Sequence, residues 1–170
     1  MMGAALVVAG VLMALTFARF GVGWRGLAWA VVQLLLTFVA AFDLATRRVP
    51  NRAIVPAAAA AVALRAAFVH SRLVEALVAG AIALVVFLLI GLLTRGGIGM
   101  GDVKLAALLG LLLGRAVLPA LFVGVIVGGM ASAAVLVARG GGRRHTIAYA
   151  PYLCFGGAVA IIAFHLPRLV

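Results

Sequence analysis

An all-α, polytopic membrane helix bundle of six or seven transmembrane helices is the fold class the sequence predicts, and three observations predict it. Of the 170 residues, 68% are apolar and 10% are charged, against about 45–50% and about 25% in an ordinary soluble domain. The apolar residues fall in continuous stretches such as 81-AIALVVFLLIGLL-93, whereas the strands of a membrane barrel alternate. The hydrocarbon core is about 30 Å thick and takes roughly 20 residues per helix. Residues 1–170 therefore read as a single integral membrane domain, with no room for a soluble domain of useful size. The same composition excludes intrinsic disorder.

The elements follow in order. Span one covers 3–18; it lacks the basic n-region of a secretory signal and reads as a retained span. Spans two and three cover 26–42 and 53–69, separated by 43-DLATRRVPN-51, where Pro50 and Asn51 form a turn that stops a helix. Span four covers 73–93, and Glu75 near its start is expected to cap the helix or to pair with Arg72 or Arg65. Span five, 103–114, is short enough to be a half-span, which keeps six helices open as a count. Spans six and seven cover 116–138 and 146–166. Gly110 with Gly114, and Gly124 with Gly128, recur at the spacing of close helix–helix packing, and the run Ala57–Ala61 reads the same way. No internal repeat suggests the inverted halves of a transporter.

The net charge is +11. A soluble protein with that balance would suggest nucleic acid. Here the basic residues sit singly or in pairs between apolar stretches, as helix-end anchors, and nucleic-acid binding is not expected. With seven spans, Arg47, Arg48, Arg52, Arg95, Lys104, Arg139, Arg143 and Arg144 lie on one side, and Arg19, Arg25, Arg72, Arg115 and Arg168 on the other. The bias places the first set in the cytoplasm. Cys154 is alone and reads as a small buried side chain. His70, His145 and His165 have no ligand spacing with one another, so no metal or other cofactor is expected.

Carboxylates are scarce, and the three acids are Asp43, Glu75 and Asp102. Asp43 ends span two and Asp102 begins span five; two spans separate them, so both emerge on the same membrane face. A carboxylate at a membrane boundary is costly without a partner or a role. Two carboxylates held together cannot both ionise easily and share a proton. The ionised member of such a pair activates a water, and the protonated member polarises a scissile carbonyl. Gly96, Gly97, Gly99 and Gly101 precede Asp102. Lacking Cβ, they permit positive φ and a close approach of another chain. A phosphate cradle is unsupported, because no Gly-Lys-Ser/Thr follows. The competing reading makes both acids interfacial helix caps, Asp102 being placed where a helix dipole favours negative charge.

The segment 99-GMGDVKLAALLG-110 resembles the GxGD-type motif of intramembrane aspartyl proteases, specifically that of type IV prepilin peptidases. The segment 43-DLATRRVPN-51 resembles that family's first aspartate motif, and 147-IAYAPYLCFGGA-158 is similar to its Pro-Phe/Tyr-containing final helix. The resemblance runs from about 30 to 165. It implies an aspartic endopeptidase of the prokaryotic cytoplasmic membrane, cleaving the leader of prepilin or pseudopilin substrates at the cytoplasmic face. Asp43 and Asp102 would be the catalytic pair, with Gly99, Gly101, Pro50 and Asn51 in the active-site loops. The substrate's apolar N-terminal helix would dock against the bundle, among membrane lipid. Many bacterial members carry two Cys-x-x-Cys pairs and N-methylate the product. One cysteine here makes the chain similar to the short, peptidase-only branch.

Lys104 is two residues past Asp102 and off its helix face; it is expected to be a snorkelling anchor or to pair with an acidic substrate residue. Arg47, Arg48 and Arg52 are expected at headgroups, where they would also orient a basic leader. Neither Gly-x-Ser-x-Gly nor His-Glu-x-x-His occurs, so serine and zinc mechanisms have no support. The reading from another class is a small proton- or cation-coupled transporter with the aspartates as its relay. A third is a non-catalytic assembly protein.

Overall fold

The computed structural model describes residues 2–94, 98–138 and 149–164. Gly96, Gly97, Arg95, Arg139, Arg143, Arg144, His145, His165 and Arg168 lie outside the described residues, as do Ile147 and Ala148. Seven α-helices occur among those described: α1 Met2–Phe20, α2 Trp24–Thr46, α3 Asn51–Phe68, α4 Leu73–Leu93, α5 Met100–Leu113, α6 Val117–Ala138 and α7 Ala150–Ala163. Short 3-10 turns at His70–Arg72 and Gly114–Ala116 lead into α4 and α6. Four helical stretches are long and apolar enough to cross a membrane: Trp24–Thr46, Asn51–Phe68, His70–Leu93 and Met100–Ala134. The last is interrupted at Gly114, whose φ of 57° breaks the α-helical path between α5 and α6. By itself α5, with 14 residues, is about 21 Å long, less than the hydrocarbon thickness.

Lipid supplies no hydrophobic drive between helices, so the helices meet where side chains are small. α4 and α5 cross with Gly80 and Gly110 back to back; a Cβ on Gly110 would stand 2.6 Å from the Ala79 carbonyl oxygen and from Gly80 Cα. α6 and α7 pack through Gly124 and Gly128, where Tyr149, Tyr152 and Leu153 occupy the space a Cβ would need, and through Gly156, where the backbone of Ala120 and Gly124 does. The expected packing roles of Gly110, Gly124 and Gly128 hold. Gly114 is buried but serves as the break in the chain, not as half of a packing pair. Of the alanine run, Ala61 is buried while Ala59 and Ala60 face outward.

The buried core joins α2 through α7, centred on Trp29, Leu36, Leu105, Leu109, Leu113, Leu153 and Ile161. α5 is its axis, packed on α3, α4 and α7, while α2 packs on α1 and α7. In α2 the buried residues Trp29, Val32, Gln33, Leu36, Val39 and Asp43 recur at helical spacing. Asp43 therefore falls on the core-facing stripe.

At the far end of α3, Glu75 meets Arg72 at 3.8 Å, as expected, and also Arg115 at 3.6 Å. Arg115 follows the Gly114 break, which brings it back over the start of α4.

Candidate active site

Asp43 sits in the last turn of α2. The helix runs to Thr46, so Asp43 lies inside it and not at its end, where the apolar pattern alone would stop the span. The helix closes with Arg47 at φ 53°, ψ 33°, and the Arg47 N–H donates to the Asp43 carbonyl oxygen at 2.7 Å. A left-handed residue at this position ends many helices, though it is usually glycine. The chain then turns through Arg48 and Val49 to Pro50. The Pro50 carbonyl oxygen accepts from the N–H groups of Ala53 and Ile54 at 2.9 and 3.1 Å. Pro50 is thus the cap of α3, and Asn51 is already helical; the expected turn is Arg47–Pro50, one residue earlier than the Pro-Asn pair suggests. Arg47, Arg48 and Arg52 are exposed around it.

Asp102 is in the first turn of α5, whose cap is Gly99. The Asp102 N–H donates to the Gly99 carbonyl oxygen at 3.0 Å. Its carboxylate reaches back so that Oδ2 lies 3.4 Å from where a Cβ on Gly99 would stand, facing the Gly99 backbone amide. An acid three residues past a cap serves a free first-turn N–H in this way. The capping reading of Asp102 therefore has a geometric basis, and it leaves Oδ1 unused.

The two glycines before Asp102 differ. Gly99 has φ −71° and ψ 146°, open to any residue, and Gly101 is helical. Neither position uses the positive φ that glycine permits. Close approach is the reason for Gly101 alone: a Cβ there would stand 2.6 Å from Val49 Cβ and 2.8 Å from Val49 Cγ2. The turn after Asp43 and the turn before Asp102 are pressed together at this point. Lys104 adds a second link, its Nζ donating to Asn51 Oδ1 at 3.3 Å. A lysine two residues past Asp102 points toward α3, where Asn51 offers an acceptor.

The structure therefore brings Asp43 and Asp102 to one end of the bundle. Both are buried, 3% and 8% exposed, and the Asp43 carboxylate lies within range to act on Asp102 through its charge. Asp43 Oδ2 and Asp102 Oδ1 find no hydrogen-bond partner among the described residues. Such atoms are costly in a low-dielectric interior unless a proton or water meets them.

The first turn of α7 completes the surroundings, and sequence reasoning assigned it no site residue. The Ala150 backbone amide faces Asp43. It is one of the unpaired N–H groups that open every helix, and the helix dipole favours an anion there. Tyr149 lies within range of the Asp102 charge, and Cys154 within range of both aspartates. Tyr149 packs edge-on against Tyr152 with ring centroids 6.2 Å apart, and its hydroxyl donates to the Val125 carbonyl oxygen at 3.4 Å. Cys154 is buried, as expected of a small core side chain, but its core lies beneath the two acids. The available signal was Pro151, which sits at the start of α7 where proline is favoured. It would have placed a helix N-terminus in this segment. No group of three or more His, Cys, Asp or Glu side chains gathers among the described residues.

Two buried carboxylates, Asp43 facing the first turn of α7 and Asp102 in the first turn of α5, each with an unpaired oxygen, are equipped to hold one proton between them and to activate a water. The sequence model of the type IV leader peptidase family matches residues 30–137. A prepilin leader peptidase/N-methyltransferase of Bacillus subtilis is 32% identical over 180 residues, covering 96% of this chain and 68% of that protein. Another of the same name from Xanthomonas campestris pv. campestris is 30% identical over 147 residues, covering 83% of this chain and 51% of that protein. The chain thus spans about two thirds of the first relative's length and about half of the second's. No solved structure matches.

Proposed function

The chain belongs to the type IV leader peptidase family, and from that premise we propose that it is an endopeptidase that removes the leader of a prepilin or pseudopilin by aspartic chemistry. Membership in a peptidase family makes hydrolysis of a peptide bond the reaction. The mechanism is our reading. Asp43 and Asp102 share one proton. The ionised carboxylate takes a proton from a water as that water attacks the scissile carbonyl carbon. The protonated carboxylate donates to the carbonyl oxygen, giving a gem-diol; the carboxyl that took the water's proton then gives it to the leaving amine as the C–N bond breaks, and a gem-diol hydroxyl returns its proton to the other carboxylate. The observation that carries this reading is the pairing of two buried acids, each with an unpaired oxygen, at one end of the bundle.

On this reading residues 1–170 form one integral membrane domain of six or seven spans. α5 is then a short span whose first turn lies at the cytoplasmic face with Asp102. The excess of basic residues on the Asp43 side favours that orientation. Arg47, Arg48 and Arg52, exposed around the Asp43 turn, repel the basic leader and keep it on the cytoplasmic side, while the substrate's apolar helix lies against the bundle. The transporter reading gains nothing from the geometry: an ion relay across the bilayer needs polar groups in series, and the paired acids sit together at one end. Co-expression with a candidate prepilin, read as a mobility shift on a gel, tests the proposal. A shifted band with the wild-type chain, absent with either aspartate replaced by asparagine, is expected. No shift with any prepilin of the same cell would refute it.

A further inference from the structure

Arg65 is 1% exposed, on α3, at the end of the bundle away from the aspartates. A buried arginine inside a membrane bundle is expensive and is kept where it has a defined partner. Its Nη2 donates to the Leu112 carbonyl oxygen at 2.9 Å, which leaves Nε without a hydrogen-bond partner among the described residues; Glu75 acts on its charge favourably from a distance while forming its ion pairs with Arg72 and Arg115. Leu112 is in the last turn of α5, where carbonyl groups lack intrahelical donors and the dipole favours a cation. α5 is too short to carry those carbonyls out to water (about 21 Å for its 14 residues). Arg65 therefore does inside the bundle what solvent does at the end of a longer helix.

The same two helices are joined at the other end, where Lys104 of α5 donates to Asn51 of α3 at 3.3 Å. Asn51 and Arg65 are near the start and end of α3, and Lys104 and Leu112 near the start and end of α5. The helices thus run parallel and are pinned at both ends. α3 is tied in turn to α2 through Arg47–Pro50, so its axial position fixes that of Asp43. α5 carries Asp102. Axial slip between α3 and α5 is slip between the two acids.

We propose that Arg65 is a positioning residue for the aspartate pair: by holding the Leu112 carbonyl it sets the register of α5 against α3, and with it the separation of Asp102 from Asp43. The inference rests on the peptidase reading for its consequence in rate, but not for its consequence in spacing.

The test uses the full chain, purified in detergent, with Arg65→Lys, Arg65→Gln and Arg65→Leu, and a peptide of basic leader followed by an apolar helix as substrate. A displacement of about 1 Å at a catalytic pair costs up to about a hundredfold in rate. kcat is expected to fall in the order Lys, Gln, Leu, by about tenfold or more for Leu, with KM within about twofold throughout. The bell-shaped pH profile should narrow in the same order, because acids moved apart feel less of one another's charge. The titratable groups beside the pair, Tyr149 and Cys154, are unchanged by these variants. In parallel, Asp43→Cys/Asp102→Cys in a Cys154→Ser background is bridged with bis-maleimides of graded length. Adding Arg65→Leu should shift the best-fitting reagent to a longer one. That readout needs no peptidase activity, so it survives if the wild-type chain cleaves nothing. A folded Gln or Leu variant with wild-type kcat, pH limbs and bridging length overturns the inference. So does a loss of kcat matched by loss of folded protein with unmoved limbs. If neither neutral variant folds, the Lys variant decides, and unmoved limbs in it overturn the inference.

Discussion

Alanine at Gly101 should disable the protein far more than alanine at Gly99, although the motif treats the two glycines alike. A Cβ on Gly101 would stand 2.6 Å from Val49 Cβ and 2.8 Å from Val49 Cγ2. Ordinary contact begins near 3.4–4 Å, so the first turn of α5 must retreat from the Arg47–Pro50 turn by about 1 Å. Val49 cannot give way, because the nearest atom is its own Cβ, fixed to the backbone between Arg48 and Pro50. Overpacking of this kind costs about 1–3 kcal/mol of stability. The larger effect is on rate: Asp102 is the next residue and moves with the turn, and a shift of about 1 Å at a reacting group costs up to about a hundredfold. At Gly99 the nearest atom to a new Cβ is Asp102 Oδ2 at 3.4 Å, and the backbone is already in an ordinary region. Loss there should stay within about threefold, less than one kcal/mol. The assay is cleavage of a prepilin-like peptide by purified protein, with the folded fraction measured by size exclusion. Val49→Gly in the Gly101→Ala background removes the colliding atoms and should restore most of the rate. Equal losses at the two glycines, or no recovery in the double variant, would refute the contact as the reason for Gly101.

Lys104→Met and Asn51→Ala each remove the 3.3 Å tie between α5 and α3; each should cost about 0.5–1.5 kcal/mol in stability, and the double variant should cost no more than the larger single in a denaturation cycle. Chelators should leave cleavage by the purified chain unchanged; full inhibition reversed by added metal would point to a different chemistry. With S-adenosylmethionine present, mass spectrometry should find the new N-terminus unmethylated when the 170-residue chain is the only protein added. Gly110→Leu should destabilise the bundle severely, because the side chain would enter the backbone of Ala79 and Gly80; a wild-type melting profile would contradict the α4–α5 crossing.

The helices were legible because lipid-facing and core-facing positions are both apolar, which makes each span a continuous signal. The predicted stretch 73–93 coincides with α4, and 116–138 differs from α6 by one residue. The ends were less legible where polar residues are helical. The apolar pattern stops near Phe42, but α2 continues through Asp43 to Thr46, because the Thr46 hydroxyl donates to the Phe42 carbonyl oxygen at 2.8 Å and Arg47 closes the helix. Likewise α5 begins at Met100, three residues before the apolar run. The pairing of Asp43 with Asp102 at one end could be argued from span parity. What could not be read was the contact between Val49 and Gly101, the destination of Lys104, or the approach of α7, since these depend on which helices are neighbours. Hydropathy does not encode that. Arg65 was visible as a cation inside span three, but its partner is a backbone carbonyl, which carries no sequence signature.

In the proposed mechanism Asp43 and Asp102 act as one unit on the peptide bond. The decisive experiment compares the rates of Asp43→Asn, Asp102→Asn and the double variant, measured on purified folded protein with one prepilin substrate. Each single replacement should lower kcat by about three orders of magnitude or more, and the double should be no slower than the worse single, because residues that act together are lost together. A single variant that cleaves at the wild-type rate, or a double whose loss is the product of the two, would show that the two acids do not share the reaction.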